Sequence, residues 1–422
     1  MREGYKMTEF GEIPEEWVVY RLGDIVEKIV GGGTPSRKVA EYYQGDIPWA
    51  TVKDLDNRFY KSNTVEHITT EAVNNSATNV INESKIIIAT RMGLGRGFIN
   101  KVPMAINQDL KALYNKAFID IKYLLYWYLL KAELIQGIGK GSTVKGITLN
   151  DLKALLLPIP AKEEQQKIAS ILSTVDEHID QTDKLIEKSK ELKKGLMQKL
   201  LTKGIGHTEL KMTELGEIPK EWSISKLREL GFTYNGLTGK NGDDFGEGKP
   251  YIPYKNVFNN LRIDLDYLDH VRIDKKENQN KVKYGDVIFT TSSETPEDVG
   301  MSSVLLNKTG ELYLNSFCFG YRLNSLKLVL PDFVCYLLRG YRFRKIISKL
   351  AQGSTRYNLS KNSVLNISIP IPGVEEQQKI ASILSSVDEK LDQYDSKKQK
   401  LQDLKKGLMQ KLLTGKIRVK VS

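Results

Sequence analysis

One eighteen-residue segment occurs twice in this chain almost without change. Residues 163–180 are EEQQKIASILSTVDEHID, and residues 375–392 are EEQQKIASILSSVDEKLD. Fifteen of the eighteen positions are identical, so the two segments are copies of each other. A repeat with so long a period indicates two copies of a whole domain rather than the short stacked units of a solenoid. The chain is therefore predicted to be a tandem duplication.

Further matched segments extend the duplication towards both ends. MTEFGEIPEEW at 7–17 matches MTELGEIPKEW at 212–222, and LKKGLMQKLLT occurs at 192–202 and again at 404–414. Between these anchors the likeness is weaker but keeps its order. Each half is therefore predicted to be one variable globular module followed by one long helix.

The globular modules are predicted to have a mixed α/β fold. Short β-branched runs such as KIIIAT at 85–90 and DVIFTT at 286–291 are typical of buried strands. Apolar and aromatic residues recur at helical spacing at 119–135 and 332–350. Clusters of Gly, Ser, Thr and Pro between these segments indicate loops. The predicted fold class is therefore α/β, with two modules joined by two long helices.

The segments that follow the modules carry the apolar spacing of a coiled coil. Pro160 and Pro372 precede them, and Gly204 and Gly415 follow them, which bounds both helices. Because one amphipathic helix cannot bury its apolar stripe alone, the helices are predicted to pack on each other, antiparallel about a pseudo-twofold axis. The alternative is that each helix packs back on its own module. The predicted seam consists of Ile168, Leu172, Val175, Ile179, Ile380, Leu384, Val387 and Leu391.

Charge and cysteine content limit the function classes. Lys and Arg number 63 against 52 Asp and Glu in 422 residues, and this excess favours a polyanionic partner, nucleic acid before membrane. Two cysteines cannot form a disulfide framework or a Cys-rich zinc site. The N-terminus has no apolar signal core, and the apolar run at 123–130 is too short to span a bilayer. A cytoplasmic protein without membrane contact is expected.

Motifs for catalysis and cofactor binding do not match. GLGRG at 93–97 has the wrong glycine spacing for a dinucleotide fingerprint, and GIGKGST at 137–143 fails the phosphate-loop pattern because glycine follows Lys140. The four histidines lack metal-ligand spacing. We therefore predict no catalytic residue, no metal ligand and no cofactor for this chain.

Several polar loops have a composition suited to DNA. Hydroxyls and cations beside glycines suit phosphate contacts, and arginine can contact guanine with two hydrogen bonds. The GST loop occurs in both modules while the residues after it differ, which favours two modules that read different sequences. A solvated turn without a ligand is the alternative for each residue. The candidates are Thr34, Ser36, Arg37, Arg91, Arg96, Lys101, Lys140, Ser142, Thr143, Lys145, Lys240, Lys255, Asn256, Thr291, Ser292, Ser354, Thr355, Arg356 and Tyr357.

The whole arrangement resembles the specificity subunit of type I restriction–modification systems. The resemblance is carried by IPEEW and IPKEW, the GGGTPS loop, the paired GST segments, the EEQQKIASIL helices and the LKKGLMQKLLTGKI ending. It implies target recognition domains at about 1–160 and 206–372, with helical spacers at 161–205 and 373–422. One departure is visible, because the second module has GLTGKNGDD where the first has GGGTPS.

The resemblance also implies the partners. Such a subunit is not catalytic and binds a bipartite double-stranded DNA target, one half-site per domain. It recruits two methyltransferase subunits and, through them, restriction subunits. S-adenosylmethionine, ATP and Mg would be used by those partners. Two alternatives remain: a self-contained methyltransferase or nuclease fusion, and a coiled-coil scaffold that binds only protein.

Overall fold

The protein is described by a computed structural model over residues 2–139 and 146–420. These residues form two compact units. The first unit contains residues 1–184 with 396–422, and the second contains residues 185–395. Each unit therefore holds one globular part, the beginning of one long helix and the end of the other. The predicted mixture of helices and strands is confirmed.

The first unit contains two mixed sheets. The five-stranded sheet has the order Val26–Gly31, Leu110–Asn115, Ile86–Ala89, Gly97–Asn100 and Tyr60–Lys61. The four-stranded sheet has the order Glu66–Ile68, Ile47–Ala50, Met104–Ile106 and Asn79–Ile81. Two strand pairs are Tyr5–Thr8 with Gly11–Pro14, and Val18–Arg21 with Leu156–Ile159. Its short helices are Leu22–Ile25, Ala40–Tyr43, Val52–Asp54, Thr70–Asn74, Ile121–Leu130, Ala132–Ile138 and Leu149–Ala154.

The second unit repeats this plan with a four-stranded and a three-stranded sheet. The four strands are ordered Gly231–Asn235, Cys318–Leu323, Val287–Thr290 and Ser302–Val304. The three are ordered Asp269–Val271, Phe245–Ile252 and Tyr313–Leu314. The pairs are Leu210–Thr213 with Gly216–Pro219, Ser223–Lys226 with Ser368–Ile371, and Ser292–Ser293 with Tyr357–Asn358. Its short helices are Leu227–Leu230, Gly242–Asp244, Tyr254–Asn259, Pro331–Leu337, Tyr341–Leu350 and Lys361–Leu365.

The two strands predicted from β-branched runs lie inside these sheets. All four residues of Ile86–Ala89 are buried, and so are all four of Val287–Thr290. Each strand pairs with antiparallel neighbours on both edges, which explains why its sequence is apolar without alternation.

The two long helices are Lys162–Lys203, with 42 residues, and Val374–Leu412, with 39 residues. In the first unit, Asp176 forms an ion pair with Lys405, and Asp183 forms one with Lys398. The position on the second helix falls as the position on the first rises, so the helices run antiparallel there.

The helix segments within the second unit have the same direction. Lys193 pairs with Asp388, and Ile205, just past the first helix, donates its N–H to Glu376 near the start of the second. The predicted antiparallel pairing is therefore confirmed within each unit.

The start of each long helix is anchored to a globular part by one buried glutamine. Gln165 accepts a hydrogen bond from the Asp120 N–H at 2.8 Å, and its amide group donates to the Phe118 and Pro160 carbonyls. The repeated EEQQ sequence therefore has a structural role, because the first of its two glutamines joins the long helix to the globular part.

The second unit contains the same joint. Gln377 accepts from the Leu330 N–H at 2.9 Å and donates to the Leu328 and Pro372 carbonyls. Both glutamines are almost completely shielded from solvent. Their buried polar atoms are thus satisfied in the same way in both copies.

The predicted seam contributes to two kinds of packing. Ile168 and Leu172 belong to the hydrophobic core of the first unit, which also takes in Met409 and Leu412 from the end of the other helix. Ile380 and Leu384 belong to the core of the second unit, together with Leu200. Val175 and Val387 are buried, and Ile179 and Leu391 are half-buried. The beginning of each helix thus also packs against a globular part, as the alternative interpretation proposed.

Among the described residues, no helix combines the length and apolar character needed to cross a membrane. In the same residues, no cluster of three or more His, Cys, Asp and Glu side chains is arranged to hold a metal ion. Cys318 and Cys335 are both buried free thiols.

Candidate nucleic-acid interface

Two of the predicted loops meet in the first unit. The strand Ile86–Ala89 leads directly to Thr90 and Arg91. The Ile147 N–H donates to the Thr90 carbonyl at 2.9 Å, and Arg91 forms an antiparallel bridge with Gly146. The loop after the strand therefore lies beside the segment that ends the GST loop. Four candidates within that loop, Lys140, Ser142, Thr143 and Lys145, fall outside the described residues.

The same two loops meet in the second unit. The Leu359 N–H donates to the Thr291 carbonyl at 2.8 Å. Ser292–Ser293 pairs with Tyr357–Asn358 as a short antiparallel ladder. Sequence reasoning named both loops as candidates but did not predict that they touch, because nothing in their local patterns specifies a pairing across about 65 residues.

A tight turn, which sequence reasoning missed, supports the loops in each unit. We call Asn107–Gln108–Asp109 the first hub turn. The side-chain oxygen of Asn107 accepts the Asp109 N–H at 3.1 Å, which closes the turn. The Asp109 carbonyl then accepts both the N–H of Thr90, at 2.8 Å, and its hydroxyl, at 3.1 Å.

The second hub turn, Asn315–Ser316–Phe317, is built identically. The Asn315 side chain accepts the Phe317 N–H at 2.8 Å. The Phe317 carbonyl accepts the N–H of Thr291 at 3.0 Å and its hydroxyl at 2.7 Å. The available signal was the shared pattern of INQDL at 106–110 and LNSFC at 314–318, which aligns only a single asparagine.

The glycine loops of the two modules also reach the hub turns. A Cβ on Gly32 would lie 1.8 Å from the Ile106 carbonyl oxygen, and a Cβ on Gly236 would lie 2.1 Å from the Asn315 carbonyl oxygen. Only glycine allows either approach. Thus GLTGKN begins in the same way as GGGTPS despite its different sequence. Thr34 donates its hydroxyl to the side-chain oxygen of Gln108.

Arg91 and Lys111 bring two cations to the first hub turn, where the Asp109 carboxylate also lies close to Lys111. Arg91 is exposed, and no hydrogen bond or ion pair joins its side chain to the described part of the chain. Burial, with the charge of Arg91 as a second cause, lowers the pKa of Lys111 below its usual value. The Lys111 ammonium donates to the Gln108 carbonyl at 3.2 Å, so a second cation that sequence reasoning missed supports the first hub turn.

In the second unit the cation comes from the opposite loop. Arg356, from the GST loop, donates through Nε to the Ser292 hydroxyl at 3.2 Å. Its guanidinium lies 5.8 Å from the ring centroid of Phe317, whose side chain is 55% exposed. Tyr254 donates its hydroxyl to the Ser292 carbonyl at 2.7 Å. Sequence reasoning missed both aromatic residues. Ser354 and Thr355 are exposed on the same loop.

Other predicted cations are engaged elsewhere. Arg37 pairs with Glu66 at 2.7 Å, an interaction that raises the pKa of the guanidinium, and it lies 4.1 Å from the ring centroid of Tyr43. Its neighbour Ser36 is exposed. Lys240 pairs with Glu277 at 2.6 Å, and only 6% of the lysine side chain is exposed. Neither cation is free in this conformation.

Arg96 and Lys101 line a different feature, a groove of about 660 Å³ within the first unit. Arg96 donates to the Leu55 carbonyl at 3.2 Å, and the Lys101 ammonium lies 4.6 Å from the ring centroid of Tyr60. Asp176 also lines the groove. We call the exposed residues of the two hub turns and of the loops that contact them the hub-turn surface. Arg96 and Lys101 are thus not part of it.

Asn256 is a framework residue in this structure. Its side chain is completely buried, and its amide group donates to the Asp264 and Tyr267 carbonyls at 2.7 and 2.6 Å. Its oxygen accepts the Asp264 N–H at 3.1 Å. These bonds occupy the amide in this structure, and contact of Asn256 with DNA stays a prediction. The adjacent Lys255 is exposed.

A family model described as "Type I restriction modification DNA specificity domain" matches residues 14–191 and again 219–406. The MjaVIII type I restriction enzyme specificity subunit of Methanocaldococcus jannaschii is 28% identical over 99% of this chain and 97% of the relative. The EcoR124I/EcoR124II specificity subunit of Escherichia coli is 33% identical over 40% of this chain and 43% of the relative.

A solved structure has the same fold. The crystal structure of the type I restriction–modification S subunit from M. genitalium matches 98% of this chain and 99% of its own, with a TM-score of 0.59 and 17% sequence identity. At this identity the likeness concerns the fold alone.

Proposed function

Because the chain belongs to the family of type I restriction–modification DNA specificity domains, we propose that it reads a bipartite DNA target for such a complex. Residues 1–160 and 206–372 are the two recognition modules, each for one half-site. The helical segments 161–205 and 373–422 act as spacers that set the distance between the two half-sites in the DNA. The bases between the half-sites are not read.

The observation that carries this proposal is the repeated hub turn with different exposed side chains. The first hub turn presents the exposed Gln108, and its Asp109 carbonyl accepts the N–H of the exposed Arg91 at 3.3 Å. The second hub turn presents Phe317 beside Arg356. One scaffold with two sets of exposed groups is what two different half-sites require. Gln and Arg can each form paired hydrogen bonds with a base edge in the major groove, to adenine and to guanine respectively.

Affinity and specificity come from different groups in this proposal. Exposed cations such as Lys255 and Lys38 contact phosphate and give a salt-dependent affinity without sequence information. The hub-turn side chains contact base edges and determine the sequence. Binding should therefore weaken with added salt for every DNA, whereas the preference for one sequence should depend on the hub turns.

The chemistry belongs to partner subunits. The relatives are named specificity subunits, and this chain acts in the same non-catalytic capacity. It recruits two methyltransferase subunits, which use S-adenosylmethionine, and through them restriction subunits that use ATP and Mg. An adenine must leave the base stack to be methylated, so each partner binds near a module, and the exposed faces of the long helices offer equivalent positions for two identical partners.

The decisive experiment is selection of bound duplexes from a fully random library with the full-length chain. We expect two fixed blocks separated by a constant number of unspecified base pairs. Arg91→Ala should relax the first block only, and Arg356→Ala the second only. Arg21→Ala, which removes an exposed cation from a strand outside the hub-turn surface, is the matched control. One contiguous block, or no enrichment, contradicts the proposal.

A further inference from the structure

A tyrosine, an aspartate and a lysine meet in each unit at the junction of the globular part and both long helices. In the first unit, Tyr126 donates its hydroxyl to Asp176 Oδ2 at 2.6 Å, and Lys405 Nζ lies 2.6 Å from Asp176 Oδ1. The tyrosine belongs to the helix Ile121–Leu130, whereas the other two residues belong to different long helices. We call this the first cluster.

The second cluster has the same chemistry. Tyr336 donates to Asp388 Oδ2 at 2.7 Å, and Lys193 Nζ lies 2.5 Å from Asp388 Oδ1. Tyr336 belongs to the helix Pro331–Leu337. In both clusters one carboxylate oxygen is bound by the globular part and the other by the second helix. In each unit, one aspartate thus links a short helix of the globular part to both long helices.

The tyrosine hydroxyls are effective donors at these junctions. Both tyrosine rings are completely buried, and burial together with the neighbouring aspartate raises the pKa of each hydroxyl well above its usual value. The hydroxyls therefore stay protonated. A charge-assisted O–H···O⁻ bond is short and directional, whereas the surrounding apolar packing has no preferred direction. The hydrogen bond is the contact that can fix an angle.

Each cluster is also supported by a residue from the variable part of its own unit. Phe59 stacks on Tyr126, with ring centroids 4.2 Å apart. In the second unit, Arg262 donates to the Tyr336 hydroxyl at 3.0 Å instead. The shared cluster thus accommodates two different globular parts on the same helical frame.

We propose that the Tyr126–Asp176–Lys405 and Tyr336–Asp388–Lys193 clusters are positioning devices that set the angle of each recognition module on the long helices. This angle determines how many unspecified base pairs are accepted between the half-sites. The inference rests on the proposed function, since it concerns the spacing of the two half-sites. The clusters do not touch bases, so the half-site sequences do not depend on them.

The test is Tyr126→Phe and Tyr336→Phe, singly and combined, in the same duplex selection with the full-length chain. We expect unchanged half-site sequences but a broader set of spacer lengths. Spacers one base pair longer or shorter than the wild-type spacer should be enriched to within about threefold of the enrichment of the wild-type length. This corresponds to a free-energy difference that the lost hydrogen bond can supply. A single unchanged spacer in the double variant overturns the proposal, and so does loss of the half-site sequences.

The controls remove a buried tyrosine hydroxyl inside one globular part only. Tyr123 donates to the Pro158 carbonyl and Tyr321 to the Leu227 carbonyl, each at 2.8 Å. Tyr123→Phe and Tyr321→Phe should keep the wild-type spacer, and broadening in these controls also overturns the proposal. If a cluster variant does not fold, Asp176→Asn or Asp388→Asn removes the charge but retains an acceptor oxygen. Failure of the wild-type chain to select a bipartite target contradicts the proposed function instead.

Discussion

At the level of single residues, the two hub turns differ in the side chains they expose. The side-chain oxygen of Gln108 accepts a hydrogen bond from Thr34, and the Gln108 backbone carbonyl accepts one from Lys111, so the amide is oriented before any ligand binds. Phe317 instead presents an aromatic ring beside Arg356. Under the proposed function, we expect the first turn to form hydrogen bonds with a base edge and the second to make an apolar contact, such as that with a thymine methyl group.

Gln108→Ala should relax the first half-site at one position. A bidentate contact to a base is worth about 1–3 kcal/mol of discrimination, so a loss of preference of roughly 5- to 150-fold is expected there. The readout is the base frequency at each position after duplex selection. Ser316→Ala, at the equivalent position of the second hub turn, should leave the first block unchanged. Relaxation of both blocks together would contradict the assignment.

The neighbouring residues Asn256 and Lys255 should have different roles, the first in stability and the second in DNA binding. Asn256→Ala removes the partners of buried backbone groups, so the free energy of unfolding should fall by about 2–3 kcal/mol. Lys255→Ala should leave stability unchanged within about 0.5 kcal/mol and reduce the salt dependence of DNA binding. Urea unfolding and titrations at several salt concentrations measure the two effects. An Asn256→Ala protein of full stability but altered target would contradict the structural role and support a DNA contact at this position.

The contact of Glu311 with two lysines in the second unit should be sensitive to acid. Hydrogen bonds from Lys281 and Lys249 lower its pKa from 4.5 to about 2. Because the folded-state value is the lower one, the contact stabilises the folded state above pH 4.5, and this stability is lost as the pH falls from 4.5 towards 2. Glu311→Gln should therefore reduce the decline in unfolding midpoint between these pH values. An unchanged pH dependence would contradict the assignment.

At the level of elements, the sequence predicts which helices and strands form better than it predicts which of them contact each other. The strands Ile86–Ala89 and Val287–Thr290 and both long helices follow from apolar periodicity, which is a local property. The helix predicted for 119–135 is interrupted between Ile121–Leu130 and Ala132–Ile138. The meeting of the GST loop with the loop after the strand is a long-range contact, and no local pattern encodes it. The sequence predicts that the helices containing EEQQ pack on each other, whereas the buried glutamine of this segment joins a helix to a globular part.

The glutamine joints should contribute strongly to stability. Gln165→Leu or Gln377→Leu leaves a buried N–H and two buried carbonyls without partners, at a cost of about 2–4 kcal/mol each. Gln166→Leu and Gln378→Leu, at the exposed neighbouring positions, are the matched controls and should change stability by less than about 0.5 kcal/mol. Urea denaturation of the full-length chain gives the comparison. Equal effects at the buried and exposed positions would exclude the joint as a stabilising contact.

At the level of the whole molecule, the duplication produces two units that share both long helices. Each unit combines the beginning of one long helix with the end of the other, so neither half of the sequence corresponds to one unit. The sequence predicted two modules and two helices because matched segments mark their limits. It could not predict that Met409 and Leu412 complete the core of the first unit, since that packing depends on the antiparallel pairing.

The length of the two long helices should set the number of unspecified base pairs between the half-sites. A heptad inserted after Glu187 and a second one after Gln393 keep the pairing of Lys193 with Asp388 on one side and of Asp183 with Lys398 on the other. Seven residues add about 10 Å of helix, which corresponds to about three base pairs of DNA. Duplex selection should return unchanged half-sites with an unspecified spacer about three base pairs longer. A heptad inserted in only one helix misaligns the ion pairs and should abolish enrichment of the bipartite target. An unchanged spacer after the paired insertion would exclude the long helices as the element that sets the distance.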